Sequence, residues 1–224
     1  MLADERQYFR MREYPRLSIS AALDYANHRV LKCRGSISVM AHKNILIREE
    51  AALLVIDMQE AFRNKISDFS ETAARIALIT HAIQLLDVPV IVTEQYRKGL
   101  GETANEIRAV LPPTAKTIHK TAFSSFGAQS FESELIELRA LNILVCGIEA
   151  HICVNQTVHD LLAGGYRVHF LTDCITARAQ QNKNVAFMKM QQSGAVPTTT
   201  EMALFELMRD AKHEQFKTIQ NLIK

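Results

Sequence analysis

The sequence predicts an α/β protein, a three-layer αβα arrangement around a parallel sheet. Three observations carry this. Short β-branched apolar runs recur along the chain, helix-periodic segments separate them, and a hydrophobic fraction of 48% supplies core for one domain in 224 residues. Runs that are apolar at nearly every position suit strands buried on both faces, as in a parallel sheet. Strand and helix then alternate, which places helices on both faces of that sheet.

The elements follow in order. Ala51–Asp57 (AALLVID) is the first strand and Val88–Tyr96 (VPVIVTEQY) the second, with the shorter, weaker Lys116–Lys120 as the third. Asn142–Ile148 (NILVCGI) and Arg167–Asp173 (RVHFLTD) are the fourth and fifth, and Ala195–Thr200 is a candidate sixth. Between the first two lies a helix over Ser70–Asp87, with Ala73, Ile76, Ala77, Ile79, Ile83 and Leu86 near a 3.6-residue period. Ser70 is its expected N-cap. Ser130–Ala140 crosses over to the fourth strand. Ile152–Gly165 and Asn182–Gly194 are the later helices, each stopping on glycine.

Residues 1–39 differ from the rest. They hold seven basic and four acidic side chains, a net of +3, with no clean apolar period. A poorly ordered N-terminal extension is expected there, followed by one compact domain over residues 40–224. An Arg-rich, Ser-containing leader also fits mitochondrial targeting, against which the acids at positions 4, 5 and 13 count.

Composition narrows the function. A net charge of +2 without a basic stripe argues against nucleic acid as partner. No apolar run approaches the ~20 residues that span a bilayer, so no membrane role is expected. The four cysteines, Cys33, Cys146, Cys153 and Cys174, form no CxxC pair. They read as free thiols of a reducing, cytoplasmic setting. No GxGxxG follows the first strand, where DMQEAF stands, which argues against a dinucleotide site.

Open α/β sheets carry their sites at the carboxyl ends of the strands, near the switch point. The first strand delivers Asp57 there, with Gln59 and Phe62 beyond. The second delivers Glu94, Gln95 and Tyr96, the third Lys120, and the fourth Gly147 to Cys153. A thiol entering a helix feels the positive end of its dipole, and a nearby lysine adds to that; both favour thiolate. Asp57 is then placed to relay the proton of Cys153, and amides of the GIEAH loop to hold an oxyanion. Plainer roles stand beside these. A strand-end aspartate also caps helices, a lone lysine is commonly solvated, and a free cysteine is commonly a small buried hydrophobe. Cys146, inside its strand, fits that last description, as does Cys174.

Three motifs resemble the isochorismatase-like cysteine hydrolase superfamily: LLVIDMQEAF (53–62), HKTAFSSF (119–126) and VCGIEAHICVNQTVHDLLAGGYRVHFLTDC (145–174). VTEQYRKGLGET (92–103) is similar to the isochorismatase domain-containing branch. The resemblance spans roughly residues 43–224. It implies a six-stranded parallel sheet of order 3-2-1-4-5-6 and a catalytic set of Asp57, Lys120 and Cys153, Cys153 being the nucleophile. It also implies a non-proline cis peptide at Ile148–Glu149, with the amides of Glu149 and Cys153 as oxyanion donors. Nicotinamidases of this superfamily carry zinc on an Asp-x-His motif after the second strand. Here the position reads TEQYRKG, with no histidine between His81 and His119, so no such metal site and no cofactor is expected.

The function expected is metal-independent hydrolysis of a small amide, imide or carbamoyl-type substrate through a thioester acyl-enzyme. The alternative is a non-catalytic binding or scaffold protein of the same fold. Gln59, Phe62, Glu94, Tyr96 and Phe123 are the candidate pocket residues. Homo-oligomerisation is expected from the resemblance. The C-terminal segment is apolar enough to pack on its own domain or on a second subunit.

Overall fold

The computed structural model describes residues 42–224. The expected extension at residues 1–39 lies outside them. Six strands form one sheet in the order β3-β2-β1-β4-β5-β6: β1 Ala51–Ile56, β2 Val90–Gln95, β3 Lys116–Lys120, β4 Asn142–Gly147, β5 Arg167–Ile175 and β6 Val196–Thr198. Every pairing is parallel, as expected.

The helices are α1 Phe69–Gln84, α2 Arg97–Leu100, α3 Asn105–Arg108, α4 Gln129–Glu137, α5 Asn155–Ala163, α6 Gln180–Gln192, α7 Thr200–Met208 and α8 Phe216–Leu222. Alternation along the central strands divides the core in two. Leu53 and Val55 of β1, Val90 and Val92 of β2, and Leu144 and Cys146 of β4 face one layer, built on Phe69, Ile76, Ile79 and Ile83 of α1 and on Leu204 and Leu207 of α7. Leu54, Ile56, Ile91, Ile143 and Val145 face the other, built on Phe131 and Leu135 of α4, Val158 and Leu161 of α5, and Met190 of α6. Each fully buried aliphatic side chain contributes about 1.5–3 kcal/mol. The C-terminal segment therefore packs on its own domain, through Leu204, Leu207 and Ile219.

The expected cap of α1 is corrected. The helix starts at Phe69, so Ser70 lies in its first turn, and the Ser70 hydroxyl accepts from Arg63 at 3.1 Å. Asp68 holds the N-cap position, but its carboxylate accepts from the Thr176 hydroxyl at 2.6 Å instead of capping the helix. The glycine stops hold: Gly165 and Gly194 adopt φ of +83° and +104° just past α5 and α6.

The strand order reverses between β1 and β4, so the crevice opens beyond Ile56 and Gly147, which are register partners. Gly147 is required there. It has φ +116°, and a Cβ would lie 2.0 Å from the Ile56 carbonyl oxygen. That oxygen also accepts the Ile148 amide at 2.9 Å, seating the loop that leaves β4. Gly147→Ala is expected to cost about 3–5 kcal/mol in denaturant unfolding, well above an ordinary glycine substitution. A loss below about 1 kcal/mol would mean the loop has another seat.

Candidate active site

Asp57 follows β1 with φ +50°, a left-handed conformation that aspartate tolerates better than most residues. Its amide donates to the Thr93 carbonyl at 3.0 Å, which turns the carboxyl group across the end of β2. One carboxylate oxygen accepts from the Thr93 hydroxyl at 2.8 Å and the other from Lys120 Nζ at 2.6 Å. Lys120 closes β3, two strands away, and its side chain is fully buried as it reaches past β2. Its ammonium also donates to Gln95 Oε1 at 2.9 Å and to the carbonyls of Phe123 at 2.9 Å and Ala122 at 3.2 Å. Four acceptors surround three N–H bonds, so the ammonium is saturated.

After β4 the chain passes through a cis peptide at Ile148–Glu149 into a wide helical turn, Ala150–Val154, which runs into α5. Cys153 lies in that turn, 7% exposed. Glu149 is held from behind: its carboxylate accepts from Arg178 Nε at 3.0 Å and from the Arg178 amide at 3.0 Å.

The environment of Cys153 opposes the thiolate expected there. Burial, and then the Asp57 carboxylate, push the thiol up to about 12, and the Lys120 ammonium pulls the other way without compensating. The cause is local. The thiol sits inside a desolvated turn whose amides are partly engaged, since Ile152 and Val154 donate to the Glu149 carbonyl at 3.0 and 3.4 Å. The charge of Lys120 is directed at Asp57. The resting thiol is therefore neutral at physiological pH. Alkylation of Cys153 by iodoacetamide should be slow near pH 7 and climb about tenfold per pH unit into the alkaline range. Peptide mapping reads the rate site by site; a plateau reached by pH 7 would contradict this environment. Cys146, wholly buried in β4, is pushed well above the ordinary thiol range by desolvation, and Cys174 is pushed up to about 12.

Asp57, Cys153 and Glu149 line a cavity of about 140 Å³ with Phe62, Gln95, Leu100, Phe123, Ile148 and Ile152. Phe62 and Phe123 are thus where the sequence places them. Gln59, Glu94 and Tyr96 are not, and each has a physical reason. Gln59 is fully buried, and its amide bonds the Gln95 backbone at 2.8 and 3.0 Å and the Gly101 carbonyl at 2.7 Å. Glu94 points to the other face of β2, where it accepts from the Thr103 amide and hydroxyl at 2.8 and 2.9 Å. Tyr96 is 57% exposed. Strand alternation was the available signal: Thr93 and Gln95 share the face of β2 that meets Asp57 and Lys120, and Glu94 lies opposite. Leu100 arrives from the one-turn α2, Ile148 from the loop after β4 and Ile152 from the helical turn Ala150–Val154, all too short for periodicity to give a face.

A larger cavity of about 220 Å³ surrounds Glu94, with Arg97, Glu102, Thr103, Arg108, Leu111 and Thr117. Arg97 and Arg108 both pair with Glu102 there. It contains no nucleophile and none of Asp57, Lys120 and Cys153. Among the described residues, no group of three or more His, Cys, Asp and Glu side chains is placed to hold a metal ion. No described helix is long and apolar enough to cross a membrane.

Comparison with known proteins agrees with this architecture. The isochorismatase domain model matches residues 51–202, from the start of β1 into α7. Isochorismatase domain-containing protein 2A of Mus musculus is 39% identical over 180 residues, covering 80% of this chain and 85% of that protein. Isochorismatase domain-containing protein 2 of Homo sapiens is 42% identical over 176 residues, covering 78% and 83%. The solved structure of MAR1 ribonuclease from Caenorhabditis elegans superposes with a TM-score of 0.76 at 36% identity, covering 80% of this chain and 92% of that one. With the family model running through all six strands and the relatives spanning about four fifths of its length, the chain belongs to the isochorismatase domain family.

Proposed function

We propose that this protein is a metal-independent cysteine hydrolase that cleaves the carbonyl–nitrogen bond of a small amide, imide or carbamoyl compound. The observation that carries the reading is the arrival of a carboxylate and a thiol, from beyond separate strands, at one small cavity, with the lysine paired to that carboxylate behind it. Because the resting thiol is neutral, Asp57 accepts the Cys153 proton as sulfur bonds to the carbonyl carbon. The oxyanion forms opposite the backbone N–H groups of Glu149 and Cys153. Among the described residues the Glu149 N–H makes no hydrogen bond, so that donor is free. Asp57 returns its proton to the leaving nitrogen as the C–N bond breaks, which leaves a thioester. Water then attacks the thioester, giving its proton to Asp57, and the departing sulfur takes that proton back. Lys120 positions Asp57 throughout.

The relative from Caenorhabditis elegans is named a ribonuclease. A phosphodiester would meet Asp57 and Glu149 in this cavity, and among the described residues no cation lines it. Amide chemistry fits the wall better. Self-association is proposed with it, through α6, whose Val185 and Met188 are each 53% exposed; light scattering of the purified chain tests this. For the activity, small amides, imides and ureides are incubated with the protein, with Cys153→Ala as the blank. Turnover with a transient acyl mass on the Cys153 peptide supports the reading. Equal turnover by the blank would end the covalent mechanism, and none by wild type favours the scaffold alternative.

A further inference from the structure

The polar groups around Cys153 are almost all engaged by the protein itself. Gln95 gives its Oε1 to Lys120 at 2.9 Å and its Nε2 to the Thr121 carbonyl at 2.6 Å. Glu149 is held by Arg178, and Lys120 is saturated behind Asp57. What remains for a ligand is the Cys153 thiol, the Asp57 carboxylate and the two N–H groups proposed above as oxyanion donors, those of Glu149 and Cys153. The rest of the wall is Phe62, Leu100, Phe123, Ile148 and Ile152. Lys65 lies 6.0 Å from the Phe62 ring centroid and does not line the cavity.

Size sets a second limit. A dry protein cavity of about 150 Å³ takes a molecule the size of benzene. The space here is about 140 Å³. Charge sets a third: an anionic group would enter an apolar, desolvated wall where, among the described residues, no cation lines the cavity.

Building on the nucleophile assignment above, we infer that the acyl group transferred to Cys153 is uncharged, apolar and about six to eight non-hydrogen atoms in size. It is recognised by shape and by its one carbonyl oxygen. Carboxylate-bearing acyl groups are excluded by the desolvated apolar wall and by the lack, among the described residues, of a cation that lines it.

The test uses two phenyl esters with acyl groups of equal size, 4-methylpentanoyl and succinyl, so that an isopropyl group stands in for a carboxylate. In each reaction the S–C(carbonyl) bond forms, the C–O bond to phenol breaks, and the thiol proton leaves with phenol. Phenol release is followed with wild type and with Cys153→Ala, which corrects for spontaneous hydrolysis, and the Cys153 peptide is weighed. The expected result is acylation at least about a hundredfold faster by the 4-methylpentanoyl ester. Leu100→Lys, which aims a cation into the cavity, should narrow that ratio at least about tenfold. Comparable rates for both esters in wild type would overturn the substrate class while leaving Cys153 as nucleophile. Acylation at Cys153 by neither ester would overturn the nucleophile assignment, and this inference with it.

Discussion

Acyl transfer by the Cys153→Ala variant is expected to fall by at least about a thousandfold, with unfolding free energy within about 1 kcal/mol of wild type. The two halves of this result have separate causes. Sulfur is the atom that bonds to the acyl carbon, and neither Asp57 nor Lys120 can replace it. Yet Asp57 and Lys120, which the thiol approaches, keep their other hydrogen bonds without it, and the residue borders a cavity that already exists, so removing it creates little new unfilled space. Calorimetry with mass spectrometry of the acyl intermediate separates the halves. A variant that keeps its rate would end the covalent mechanism. One that unfolds would make Cys153 a structural residue first.

A large stability effect is also expected at Asp57. Asp57→Ala leaves the Lys120 ammonium buried without its carboxylate, at a cost of about 3–5 kcal/mol. Asp57→Asn keeps the left-handed backbone tolerable but also leaves the charge uncompensated. Pairing Asp57→Asn with Lys120→Met should recover much of the loss, which a double-mutant cycle in urea measures. A loss under about 1 kcal/mol for Asp57→Ala would show that Gln95 and the carbonyls of Ala122 and Phe123 hold the ammonium unaided. The thiol is expected to respond in the opposite direction to turnover. Asp57 raises the pKa of Cys153 and Lys120 lowers it, so removing Asp57 moves the thiol toward thiolate. Asp57→Asn should therefore alkylate faster than wild type at pH 8 while hydrolysing nothing. Slower alkylation would mean that the carboxylate is not what keeps the thiol protonated.

What was legible in the sequence follows from what pattern encodes. The apolar runs of β1, β2, β4 and β5 and their intervening helices are visible because both faces of a central parallel strand are buried, whereas the edge strands β3 and β6 are shorter and partly exposed; the glycines past α5 and α6 mark helix stops at positive φ. Asp57, Lys120 and Cys153 stand out as polar residues where such runs end. The protonation state of Cys153 was not legible, because it depends first on how deeply the turn buries the thiol, and then on Asp57 and on which partner Lys120 chooses across two strands. Gln59 looked like a pocket residue because nothing in its neighbours shows that the Gln95 and Gly101 backbones would take both ends of its amide. Ser70 looked like a cap because a boundary error of one or two residues is enough to exchange a cap for a first-turn position.

Lys120 sits at the last residue of β3, an edge strand of five residues with three of them exposed. Such a strand has little apolar area to hold it, and edge strands open readily. Its terminal ammonium is anchored on a carboxylate beyond its neighbour strand, so that the ion pair also fastens the sheet's margin. Opening of β3 would pull the lysine away from Asp57 and dismantle the site before the rest of the domain unfolds. Amide hydrogen exchange in Thr117–Lys120 thus becomes a remote gauge of whether the carboxylate at the opposite side of β2 is in place.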